Sequence, residues 1–180
     1  MTRPALIDPD GRAAQPHAPR RAWHWGELSM LLTFVLVPLA IGFAGSLATA
    51  SSVNDWYPTL VKPDFNPPNW LFGPVWTLLY VMMGLACHLV WRSAAPVTER
   101  RPALVAYGVQ LALNLAWSFV FFGLQSPLLA LIVIAAMWSA IAVTMRRFLA
   151  IDRLAGWLFA PYLAWVSFAA LLNGAIVTLN

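Results

Sequence analysis

Charge is what this sequence has least of. Only 10% of its 180 residues are Asp, Glu, Lys or Arg, against about 25% in soluble domains. Apolar residues make up 61%. Such a chain takes lipid as its solvent. A single cysteine, Cys87, excludes an internal disulfide framework. The seven acidic residues all lie outside the long apolar runs. The spans therefore hold no paired carboxylates for acid–base work. The H-E-x-x-H, G-x-S-x-G and P-loop signatures are missing as well. Hydrolytic and phosphoryl-transfer chemistry has no residues to use, and no metal site is expected.

The few charges that exist are ordered. Arg3, Arg12, Arg20 and Arg21 precede the first apolar run. Arg92, Arg100 and Arg101 follow the second, and Arg146, Arg147 and Arg153 follow the fourth. Only Lys62 falls on the other side. This is the positive-inside bias of a multi-pass membrane protein, and it leaves nothing for a nucleic acid. Five apolar runs, at 28–50, 70–91, 103–123, 127–148 and 154–177, each reach the ~20 residues a spanning helix needs. Backbone groups in lipid must bond within their own segment, so helices are expected. The fold class is thus an all-α integral membrane bundle of five helices, spanning 23–180. The charge bias puts the N-terminus in the cytoplasm and the C-terminus outside, in a bacterial inner membrane. Residues 1–22 lack an apolar period and read as a disordered tail. The run from Leu28 to Leu47 exceeds the 7–15 residues of a signal-peptide core, so the first helix is retained. No internal repeat supports an inverted-repeat transporter.

Polar and aromatic residues fall in stripes. Gln110, Asn114, Trp117 and Phe121 lie at i, i+4, i+7 and i+11, on one helical face. Trp76, Tyr80, Met83 and Cys87 repeat the pattern. Tyr162, Trp165, Ala169 and Asn173 make a third stripe, at i, i+3, i+7 and i+11. One stripe alone reads as bundle packing, with Asn or Gln gluing helices. Three in five helices point to a pocket among the second, third and fifth spans. Indole and phenol groups there would wall a flat apolar ligand. Gly108, Ala112 and Ala116 form a small-residue run whose first two members lie roughly 160–200° around the third helix from Gln110. This small face suits either a homodimer or a neighbouring helix of the same chain. His88 could ligate haem iron, but its place beside Trp91 and Arg92 reads better as interfacial.

These motifs together resemble the tryptophan-rich sensory protein/translocator protein family (TspO/MBR, the peripheral benzodiazepine receptor family). The matching residues are Trp56-Tyr57-x-x-Leu60-x-Lys62-Pro63, Pro67-Pro68, and Pro74-x-Trp76-x-x-Leu79-Tyr80. They continue through Gln110, Asn114, Trp117 and Phe121-Phe122. The last are Pro161-Tyr162-x-x-Trp165-x-x-Phe168-Ala169-x-x-Leu172-Asn173. The resemblance covers roughly residues 28–180. It implies a five-helix bundle, usually dimeric, that binds tetrapyrroles such as protoporphyrin IX and haem as ligands and requires no cofactor. It implies a sensory or regulatory role in porphyrin and stress metabolism. Two alternatives come with it: transport of porphyrins or related amphiphiles, and light-dependent porphyrin degradation with Trp76 and Trp165 as the catalytic pair. The chain offers no intramembrane carboxylate to couple ions to transport. It also has no Lys or Arg after Tyr162, so the family's C-terminal cholesterol motif is incomplete.

The connection at 51–69 is long and stiff. Pro58, Pro63, Pro67 and Pro68 fix their own φ. That rigidity lowers the entropy lost when the segment settles, and it reads as a lid over the pocket. Trp56 and Tyr57 either reach inward or anchor at the membrane interface. A tight turn is expected at 124–126, with Ser126 capping a helix that opens on Pro127.

Overall fold

The structure, a computed structural model, describes residues 25–180. The tail expected over 1–22 lies outside them. Helix α1 runs Trp25–Asp55, α2 Asn69–Arg92, α3 Val97–Ser118, α4 Pro127–Ile151, α5 Arg153–Trp157 and α6 Ala160–Leu179. A short 3₁₀ turn occupies Tyr57–Thr59, and a π turn, Phe119–Gly123, extends α3. No strand occurs among the described residues. Five helical stretches are long and apolar enough to cross a membrane, with α5 and α6 together forming the fifth.

The helices outrun the apolar runs. α1 continues to Asp55 rather than residue 50, and α3 begins at Val97 rather than 103. Hydropathy marks where lipid ends, whereas the hydrogen-bond ladder continues into water until a breaker stops it. Pro96 is that breaker for α3, standing at its N-cap in extended conformation. The fifth span is not one helix. Pro161 has no N–H for the Trp157 carbonyl, and its ring crowds that carbonyl. The chain breaks there, between α5 and α6. Asp152 starts α5 by accepting the Ala155 N–H at 2.8 Å.

Ser126 holds the N-cap position of α4, but its side chain makes no capping bond. Its backbone carbonyl takes the Ala130 N–H at 3.0 Å instead. The turn before it is closed by Gln125 at φ 51°, in the left-handed region.

The core lies where α2 meets the other helices. Met83, Ala86 and Val90 of α2 pack with Ala103 of α3, Ile141 and Phe148 of α4, and Phe159 and Tyr162 at the start of α6. Two glycines let α1 approach this core. A Cβ at Gly84 would overlap the backbone of Phe34 and Val35, and one at Gly42 would overlap the Tyr80 ring. The small-residue principle of membrane helix packing operates here, between α1 and α2.

Candidate functional site

A cavity of about 650 Å³ opens among α1, α2, α3 and α6, on the side of the 56–68 loop. Trp76 and Tyr80 come from α2. Asn114 and Trp117 come from α3, Phe121 from the π turn, and Trp165, Ala169 and Asn173 from α6. Tyr57 reaches it from the loop. Nine of the twelve residues expected at the pocket thus line one cavity.

The other three stand behind the wall. Gln110 is fully buried one turn below Asn114, with its amide N–H 3.7 Å from the Met83 sulfur. Tyr162 is likewise fully buried. It accepts the Asn114 Nδ2–H at 3.1 Å and lies 3.7 Å from the Met137 sulfur. Trp56 packs edge-on against Phe121, 5.6 Å between centroids, outside the lining. Spacing alone gives a face; depth along that face decides which residues meet the cavity.

The wall is held by a polar lattice. Tyr80 donates to Asn114 Oδ1 at 2.7 Å, so Asn114 is braced from two sides. The Trp117 indole N–H donates to Asn173 Oδ1 at 3.3 Å, and Asn173 Nδ2 donates to the Pro127 carbonyl at 2.8 Å. Trp76 stacks on Tyr80 at 5.6 Å and meets Tyr162 edge-on at 6.2 Å. Each amide in the lattice is satisfied by protein, as burial in lipid demands. Outside the lattice, Gln110 Oε1 and the Trp165 indole N–H are buried with no hydrogen-bond partner among the described residues.

Two contributions were missed by sequence reasoning. The π turn bonds Leu124 N–H to the Phe119 carbonyl at 2.8 Å. Its wider turn brings Phe122 to the cavity beside Phe121, where a straight helix would turn one away. No sequence signal marks it beyond the Phe121-Phe122 pair. The second is α1, which supplies Gly42, Ser46, Thr49 and Val53. They repeat the i, i+4, i+7, i+11 spacing of α3, and that period was the available signal. Small side chains hid it.

The loop caps this end. The Lys62 ammonium donates to the carbonyls of Tyr57 at 2.8 Å and Leu60 at 2.9 Å. It also lies 4.8 Å from the Tyr57 ring centroid. The Tyr57 hydroxyl donates to Asn66 Oδ1 at 2.9 Å. Burial pushes that phenol above its ordinary pKa. The Asn180 amide holds both backbone groups of Val61, at 3.0 Å each.

Two further expectations resolve. Gly108 and Ala112 are exposed, and a Cβ at Gly108 would meet nothing within 4 Å. No helix among the described residues covers that position. His88 is buried, with its ring between Phe34 and Trp91 at 6.0 and 6.4 Å. The long α1 shields it. No group of three potential metal ligands occurs among the described residues.

Residues 34–179 match the TspO/MBR family over their whole length. The chain belongs to the TspO/MBR family. It is 48% identical to the tryptophan-rich protein TspO of Chlorobaculum tepidum over 142 residues, covering 79% of this chain and 90% of that one. A tryptophan-rich protein TspO of Archaeoglobus fulgidus is 45% identical over 150 residues, covering 83% and 96%. The human translocator protein is 39% identical over 143 residues, covering 78% and 83%. Family membership and the five apolar helices make this a multi-pass membrane protein.

Proposed function

We propose that the protein binds a tetrapyrrole, protoporphyrin IX or haem, in this cavity and acts as a membrane sensor or regulator of porphyrin and stress metabolism. The observation that carries the reading is the wall itself. Trp76, Trp117 and Trp165 surround one cavity with Tyr80 and Phe121, and the amides that orient them are already bonded to protein. A volume of about 650 Å³ suits a ligand of drug to macrocycle size. All its lining side chains are uncharged. A flat aromatic ring therefore gains stacking without desolvating a charge, while its polar edge must lie near the cavity mouth. The Asn54 and Asn69 amides, in the lining at the loop end, are polar groups available to that edge. Relatives carry the names sensory protein and translocator protein, and the proposed role extends those names to this chain. An absorbance titration of purified protein with protoporphyrin IX tests the reading. Saturation near one ligand per chain supports it, and unsaturable partition into detergent counts against it.

The exposed small face of α3 is assigned to a homodimer, since Gly108 and Ala112 are exposed among the described residues. The positive-inside bias assigns a bacterial inner membrane, with the loop and C-terminus on the outer side.

A second reading is favoured by one observation: Trp76 and Trp165 line the same cavity. Indole is readily oxidised, so an indole would pass one electron to the photoexcited porphyrin, the reduced porphyrin would pass it to dioxygen, and the indole radical would take an electron back from the ring, leaving the porphyrin oxidised and dioxygen reduced to superoxide. Illuminating the complex in air tests this. Porphyrin bleaching that persists unchanged in Trp165→Phe counts against tryptophan chemistry.

A further inference from the structure

We propose that ligands enter the cavity sideways from the bilayer, through a slit between α1 and α2, while the 56–68 loop stays latched. The proposal rests on the cavity being a ligand site, and it adds the route and the kind of molecule that can use it.

Two rows of residues define the slit. Ser46, Ala50 and Asn54 form one along α1; Asn69, Gly73 and Thr77 form the other along α2. All six line the cavity, and all six are exposed. Lining residues this exposed mark an open stretch of the wall. Each row advances four residues at a time, so each lies on one helical face. The helices run antiparallel, and Gly42 against the Tyr80 ring fixes their register. Ser46 then falls opposite Thr77, Ala50 opposite Gly73, and Asn54 opposite Asn69.

The same two helices touch at one end and part at the other. At Gly84 and Gly42 a Cβ would collide with α1 backbone or with Tyr80. At Gly73 a Cβ would meet nothing within 4 Å. The rim is also dressed for lipid. The Ser46 and Thr77 hydroxyls donate back to the carbonyls of Gly42 and Gly73, at 3.0 and 2.9 Å. Their polar atoms are satisfied by their own helices, and the surface offered to lipid is apolar. Only Asn54 and Asn69, at the loop end, present amides. A planar amphiphile could slide in ring first and keep its polar edge beside them.

The alternative entrance is tied shut. Opening the loop breaks both Asn180–Val61 bonds and the Phe65–Phe168 edge contact, 6.3 Å between centroids. The slit needs no hydrogen bond broken. A membrane-dissolved macrocycle therefore has the lower barrier through the bilayer.

Stopped-flow tryptophan quenching in phosphatidylcholine vesicles, with protoporphyrin IX as the probe, tests the route. Gly73→Phe places a ring in the slit at a position with open space for it. It should slow loading roughly tenfold and slow release as well, because both use one gate. A ring that merely filled the cavity would slow loading but speed release, and that result overturns the proposal. The pair Val61→Cys/Asn180→Cys replaces the latch with a disulfide. Oxidised and reduced forms should load at the same rate. A block on oxidation, or wild-type loading in Gly73→Phe, overturns the slit. The equilibrium titration separates the two ideas. No saturable quenching in wild type removes the binding site itself, whereas a normal titration with ungated Gly73→Phe removes the slit alone.

Discussion

Tyr80 and Asn114, 34 residues apart in sequence, are joined by a buried hydrogen bond of 2.7 Å. That bond decides which way the amide faces. With Oδ1 taken by Tyr80, Nδ2 is left to donate to Tyr162. One amide thus fastens α2, α3 and α6 together under the cavity. Polar bonds between membrane helices average about 0.6 kcal/mol and reach about 1.7 kcal/mol. A double-mutant cycle of Tyr80→Phe and Asn114→Ala should show coupling of roughly 0.5–1.5 kcal/mol in detergent unfolding. Strictly additive losses would mean that the bond does not hold the helices.

The α1–α2 contact gives a sharper test of packing. Gly84→Ala puts a methyl group into the Phe34 backbone, which cannot move aside as a side chain can. A loss of about 2–3 kcal/mol is expected from overpacking. Gly73→Ala, in open space, should be neutral or slightly stabilising through helix propensity. Thermal unfolding of both in one detergent compares them. Equal effects would contradict the picture of helices that touch at one end only.

Asn180→Ala removes both partners of the Val61 backbone. Each lost bond is worth about 0.5–1.5 kcal/mol, so amide exchange at Val61 should speed by roughly tenfold or more. The helical amides of α2 should keep their protection. Unchanged exchange at Val61 would show that Lys62 and Tyr57 hold the loop without the latch.

Ala112→Phe places a large ring on the small face of α3. In mild detergent the mass is expected to fall from dimer to monomer. A dimer that persists assigns the interface to another face.

Much of this architecture was legible in the sequence. Five apolar runs give five crossings because lipid leaves the backbone no other choice. The aromatic stripes put Trp76, Trp117 and Trp165 on the wall of one cavity because a 3.6-residue period survives along long helices. What escaped is what breaks the period or carries no bulk. The π turn at Phe119–Gly123 shifts the phase without a marker residue. Gly42 and Ser46 build the α1 side of the cavity by being small, and small residues are common throughout membrane helices. Gln110 and Tyr162 keep the right face but stand too deep, since periodicity fixes angle and not height. Pro161, present in the family motif, also divides the last span, a backbone effect that hydropathy averages away.

Tryptophan quenching by protoporphyrin IX tests the central claim most directly. Wild type should quench saturably. Trp165→Phe, which replaces an indole of the cavity wall with a smaller ring, should bind roughly five- to tenfold more weakly. Asn114→Ala, which frees the Tyr80 and Tyr162 hydroxyls, should also bind more weakly. Trp70→Phe, 72% exposed and outside the lining, should bind as wild type does. Quenching that never saturates, or that falls equally in all three variants, would contradict a binding site in this cavity.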